Sequence, residues 1–86
     1  MTAEEKLRES GYEDITVLSN FSYDSALIGV SQDNRAVYDY DKMVQWIVDT
    51  QGWTEMEAME WIDYNTIRAL PYMGEGAPIV VFGFYE

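Results

Sequence analysis

The sequence predicts an α+β fold: a three- or four-stranded, mainly antiparallel sheet packed against two main helices, with a short helix at the N-terminus. Three observations carry this. Two β-prone runs, Ala26–Val30 and Arg35–Tyr38, flank the turn-forming Ser31-Gln32-Asp33-Asn34. Two capped segments with helical apolar spacing follow, from Tyr40 to Gly52 and from Thr54 to Leu70. An apolar run, Pro78-Ile79-Val80-Val81-Phe82-Gly83-Phe84, then closes the pattern.

Taken in order, Thr2 precedes Ala3-Glu4-Glu5-Lys6-Leu7-Arg8-Glu9 with Glu5 three residues on, the form of a capping box, and Gly11 stops the helix. Leu7 is its one large apolar residue, so weak docking and fraying are expected. Ile15-Thr16-Val17-Leu18 is β-prone but short, and 19–24 reads as a polar connection containing aromatics. The hairpin comes next. Asp39-Tyr40-Asp41 supplies an N-cap, after which Tyr40, Met43, Val44, Ile47 and Val48 form one buried face with Trp46 at its edge.

The third helix opens on Thr54-Glu55-Met56-Glu57, a second capping box, and ends before Pro71. At about 100° per residue, Met56, Met59, Ile62, Thr66, Ile67, Ala69 and Leu70 gather on the side expected to face the core. Beside them, Glu57, Trp61, Tyr64 and Arg68 stack as a second stripe. The 78–84 run is apolar on both faces and is expected as a central or helix-covered strand.

Eighty-six residues suffice for one core and one domain, 1–86. With 48% hydrophobic and 15% aromatic residues the chain is unlike a disordered acidic tail. It contains no cysteine and no histidine, which removes disulfides, thiolate chemistry and the usual zinc and general-base groups. Residues 1–11 are charged rather than leader-like, and no apolar run approaches a membrane span, so the expectation is a cytoplasmic protein without a membrane partner.

Sixteen acidic side chains oppose five basic ones, a net charge of −11. That excess repels nucleic acid and steers the chain toward basic partners, and the scattered Lys6, Arg8, Arg35, Lys42 and Arg68 make no basic stripe. The chemical motifs are weak. Asp39-Tyr40-Asp41 has the spacing of a cation-binding pair but reads as helix capping, with no glycine-containing loop or third carboxylate beside it. Glu57, Glu60 and Asp63 are near one another on the third helix but read as solvated surface rather than an acid–base pair. Gly74-Glu75-Gly76 is no phosphate loop. The reading is therefore a non-enzyme with no cofactor and no metal. Trp61 and Tyr64 keep two readings open: a second core patch, or an interface anchor flanked by carboxylates.

The segments Val37–Val44, Glu60–Gly74 and Ala77–Val80 resemble a family of small, acidic, uncharacterised bacteriophage and prophage proteins, over about residues 24 to 82. Residues 1–23 lie outside the resemblance and are expected as a variable appendage. It carries over no site residues. What it implies is context, since small acidic phage proteins often inhibit host machinery such as CRISPR effectors. The expected function is thus an anti-CRISPR-like inhibitor that occupies a basic nucleic-acid-handling surface of a host protein. Asp39, Asp41, Glu57, Glu60 and Asp63 would pair with its cations, and Trp61 and Tyr64 would anchor the contact. The alternative is an accessory protein that self-associates, as a homodimer, through the Trp61 stripe and the sheet edge.

Overall fold

The computed structural model describes residues 1–84. It has the expected α+β composition: α1 (Ala3–Glu9), β1 (Leu27–Val30), β2 (Ala36–Asp39), α2 (Tyr40–Gln51), α3 (Glu55–Trp61) and β3 (Ile79–Val81). The sheet has three strands in the order β1-β2-β3. β1 and β2 are antiparallel, and β3 runs parallel to β2 in the register Val37↔Ile79, Tyr38↔Val80, Asp39↔Val81. The sheet is therefore mixed, not mainly antiparallel. A parallel neighbour needs a long crossover, and α2, α3 and the turns after them form it. β3 is consequently an edge strand, half-exposed throughout, and β2 is the central one. This corrects the expectation of a central or covered final strand, which judged burial from apolarity alone.

Local chemistry accounts for the element ends. In α1, Glu5 N donates to Thr2 Oγ1 at 3.1 Å and Thr2 N donates to Glu5 Oε1 at 3.1 Å. The helix ends in a Schellman turn, with Tyr12 N donating to Leu7 O and Gly11 N to Arg8 O, which needs the left-handed φ of 87° at Gly11. α1 is firmly docked. Ala3 and Leu7 are buried, Ala3 N donates to Asp24 Oδ1 at 2.8 Å, and Lys6 Nζ donates to Asp24 O at 2.6 Å. The expected fraying appendage is thus corrected: Ala3, Leu7, Leu18 and the fully buried Tyr23 are core residues.

No strand forms over residues 15–18, another correction. Leu18 N donates to the Tyr38 hydroxyl at 3.2 Å instead of a ladder carbonyl, so this backbone is satisfied by a side chain from the sheet. In the hairpin, Leu27 pairs with Tyr38 but Gly29 with Val37, so Ile28 is an extra bulged residue and is half-exposed. Asn34 takes φ 61° in the turn, and Arg35 Nε reaches across to donate to Ala77 O at 2.7 Å, tying the hairpin to the approach of β3.

α2 has the expected cap and buried face. Lys42 N donates to Asp39 Oδ2 at 3.0 Å, Tyr40, Met43, Val44 and Ile47 are buried, and Gly52 ends the helix in the left-handed region. The third helix departs from expectation. It is α-helical only over Glu55–Trp61, then widens into a π-helical segment, Ile62–Ile67, before a 3₁₀ turn at Leu70–Tyr72. Its buried line is Ala58, Ile62 and Thr66. In a regular α-helix positions eight apart drift by about 80°; the wider i→i+5 turn takes up that drift and keeps Thr66 below Ala58. Met56 and Met59 are exposed, as is Ala69, while Ile67 and Leu70 are half-buried. The expected core face thus holds at Ile62 and Thr66 and in part at Ile67 and Leu70, and fails at Met56, Met59 and Ala69, because the small Ala58 takes the packing line in the first turns.

Candidate protein-interaction site

The two stripe aromatics end in different environments. Trp61 is half-buried, its ring 5.1 Å from Phe21 and 5.8 Å from Trp53, inside an aromatic cluster that Tyr23 and Trp46 complete. Its Nε1 is buried and makes no hydrogen bond of regular geometry, with the Tyr23 hydroxyl close enough to feel it. Tyr64 is 66% exposed, with the Arg68 guanidinium 5.1 Å from its ring centroid. Trp61 thus belongs to packing, and Tyr64 to the surface.

Among the carboxylates expected at an interface, Asp39 is only 5% exposed and serves as the α2 cap. It cannot form part of an outward acidic surface. Asp41, Glu57, Glu60 and Asp63 are all exposed. Glu57 accepts from Thr54 N at 2.9 Å, and that bond is the main cause of its lowered pKa. Asp63 Oδ1 accepts from the Tyr40 hydroxyl at 3.1 Å. Glu55, Glu57 and Glu60 lie on α3 and Asp63 at the start of the π segment, so one short stretch presents four acids beside exposed Met56, Met59 and Tyr64.

The cations do little to neutralise these acids. Among the described residues the one ion pair within 4 Å joins Arg35 to Asp33, at 3.7 Å and on the hairpin turn. Lys6 is spent on the Asp24 and Leu27 carbonyls, Arg35 also on that of Ala77, and Arg68 on the Tyr64 ring. In a body of 35 × 28 × 27 Å, neighbouring carboxylates repel within about one screening length, near 10 Å at 0.1 M salt.

Sequence reasoning missed one juxtaposition. The Tyr40 ring is 4.7 Å from Phe82 at an interplanar angle of 32°, while its hydroxyl holds Asp63. Tyr40 looked like a core position of α2 and Phe82 like a covered strand residue, yet Phe82 is 68% exposed. The sequence carries no signal for it, since the end of strand pairing at Val81, which leaves Phe82 outside the sheet, is set by the tertiary fold.

Burial, the bond to Asp63 and the nearby charges of Asp63 and Asp41 push the Tyr40 pKa up to about 12. Burial also raises those of Tyr23 and Tyr38. A raised phenol pKa means that folding favours the protonated form. The associated stability is complete below the ordinary value of 10 and is lost as pH rises from there toward 12. The urea midpoint is therefore expected to fall between about pH 9 and about pH 11, with a smaller fall in Tyr40→Phe. An equal fall in both proteins would count against the role of this phenol.

Among the described residues no three His, Cys, Asp or Glu side chains are grouped to hold a metal ion, and no helix is long and apolar enough to cross a membrane. A cleft of about 550 Å³ between α1 and β1 is lined by Met1, Leu7, Tyr12, Ile28, Lys6 and Glu9 among others, without a convergent set of catalytic groups. A smaller one of about 200 Å³ lies beside the π segment, against Phe21, Tyr23, Asn65 and Thr66. No family model matches the chain, and neither do any curated protein or solved structure. Fold and surface together define a small α+β domain with a strongly acidic, largely uncompensated exterior.

Proposed function

We propose that this chain is a non-enzymatic, phage-type inhibitor that binds a basic nucleic-acid-handling surface of a host protein in the cytoplasm, in the manner of anti-CRISPR proteins. One observation carries the reading: a net charge of −11 with a single ion pair among the described residues, so that exposed carboxylates have few cations of their own. Asp41, Glu57, Glu60 and Asp63 act in place of phosphates, each replacing a counter-ion contact on the partner with a charge-assisted hydrogen bond. Trp61 supports the helix from within, and Tyr64 supplies surface contact. Asp39 has no part in the contact, being buried.

Immobilised protein is expected to capture nucleic-acid-binding proteins from bacterial lysate at low salt and to release them on addition of duplex DNA or of salt. Capture that neither salt nor DNA disturbs removes phosphate mimicry. A second reading, self-association as an accessory protein, is favoured by the exposed aromatics that follow the edge strand β3: Phe82 is 68% exposed and Phe84 fully exposed. A concentration-dependent dimer in sedimentation, with no captured protein, would select it.

A further inference from the structure

We propose that Tyr40, Phe82, Asp63 and Asp41 form a receptor for an arginine side chain of the partner protein, the anchor point of the acidic surface. The inference rests on the inhibitor reading and adds which residues anchor and which cation they select.

The construction is specific to the tertiary fold. α2 starts directly after β2, so Tyr40 stands at the end of the central strand, and β3, paired in parallel with β2, brings Phe82 to the same end. The two ring centroids lie 4.7 Å apart with the planes tilted by 32°, leaving Phe82 68% exposed. The π segment carries Asp63 to the Tyr40 hydroxyl, which donates to Oδ1 at 3.1 Å. Oδ2 has no hydrogen bond among the described residues. Asp41, adjacent in sequence and exposed, adds a second negative charge close enough to act on the Tyr40 phenol. Neither carboxylate is in an ion pair among the described residues. Tyr40 joins the two halves, with an exposed ring on its face and a carboxylate that no ion pair occupies on its hydroxyl, an arrangement that fits a planar cation. A guanidinium can rest its apolar face on the Phe82 ring while its N–H groups turn toward the carboxylates, whereas an ammonium offers only a point charge. A packing role for Phe82 explains one face of the ring but not the exposed one.

The test uses labelled oligo-arginine and oligo-lysine peptides of equal length, titrated into the full chain at low salt and followed by fluorescence anisotropy. Wild type is expected to prefer oligo-arginine by roughly 3- to 10-fold. Phe82→Ala and the gentler Phe82→Leu should both abolish that preference while leaving oligo-lysine affinity and net charge unchanged. Asp63→Asn should weaken both peptides. Tyr12→Ala, an exposed aromatic beside β1 at the opposite edge of the sheet, should change neither. Equal, salt-sensitive binding of both peptides by wild type, or a preference that survives Phe82→Leu, overturns the arginine receptor and leaves the acidic-surface reading standing. Failure of wild type to bind either peptide overturns both. A dimer that Phe82→Ala dissociates also overturns the proposal, since the site would then be filled by a second copy.

Discussion

Tyr23→Ala is expected to leave the protein largely unfolded at 37 °C. Tyr23 is fully buried, its ring lies 6.1 Å from Phe21 and 5.4 Å from Trp46, and its hydroxyl shares a 2.7 Å hydrogen bond with Thr66. Removing a buried aromatic of this size costs about 3 to 5 kcal/mol. A domain of this length holds only about 4 to 13 kcal/mol in total, and self-repulsion at −11 places this one toward the lower end of that range. Tyr23→Phe separates the ring from the hydroxyl. It keeps the packing, leaves Thr66 without its partner in the π segment, and should cost about 1 to 3 kcal/mol. Urea unfolding followed by tryptophan fluorescence reads both, because Trp46 and Trp61 belong to the same cluster. A Tyr23→Ala protein with a near-native midpoint would show that residues 12–23 are not integral to the core.

The second large effect concerns binding. The variant Asp41→Asn, Glu57→Gln, Glu60→Gln, Asp63→Asn removes four charges from the proposed contact surface while conserving shape. Gln at 57 can still close the capping box with Thr54, and Asn at 63 can still accept from the Tyr40 hydroxyl. Stability should change little or improve, since like charges are removed from one helix. Affinity for a captured nucleic-acid-binding protein should fall at low salt by roughly 4-fold to several hundred-fold, given about 0.2 to 1 kcal/mol for each of the four exposed pairs, with a shallower salt dependence. A control variant, Glu4→Gln, Glu9→Gln, Glu13→Gln, lowers the charge of the α1 end instead. Equal losses in the two variants would mean that net charge alone drives association and that no defined surface exists.

Much of this molecule was readable from residue order because the features concerned are local. Both capping boxes, the Asp39 cap, the Gly11 and Gly52 stops, the hairpin turn and the buried face of α2 depend on groups within a few residues of one another. Net charge, the missing cysteine and histidine, and the α+β class follow from composition and periodicity in the same way. What tertiary structure alone decided involves partners distant in the chain. The parallel pairing of β3 made an edge of an apolar run, and the hydroxyl of Tyr38 satisfied Leu18 and so left residues 15–18 outside the sheet. Packing put Ala58 rather than Met56 or Met59 on the core line, and the π segment kept Thr66 in line with it. The candidate site divides along the same boundary. Acidity and exposure at Asp41, Glu57, Glu60 and Asp63 were legible because solvent is the default surrounding of charged groups on a helix surface, whereas the exposure of Tyr64 was left open. The burial of Asp39, the inward turn of Trp61 and the meeting of Tyr40, Asp63 and Phe82 were not, since each depends on which element the folded chain lays against that residue.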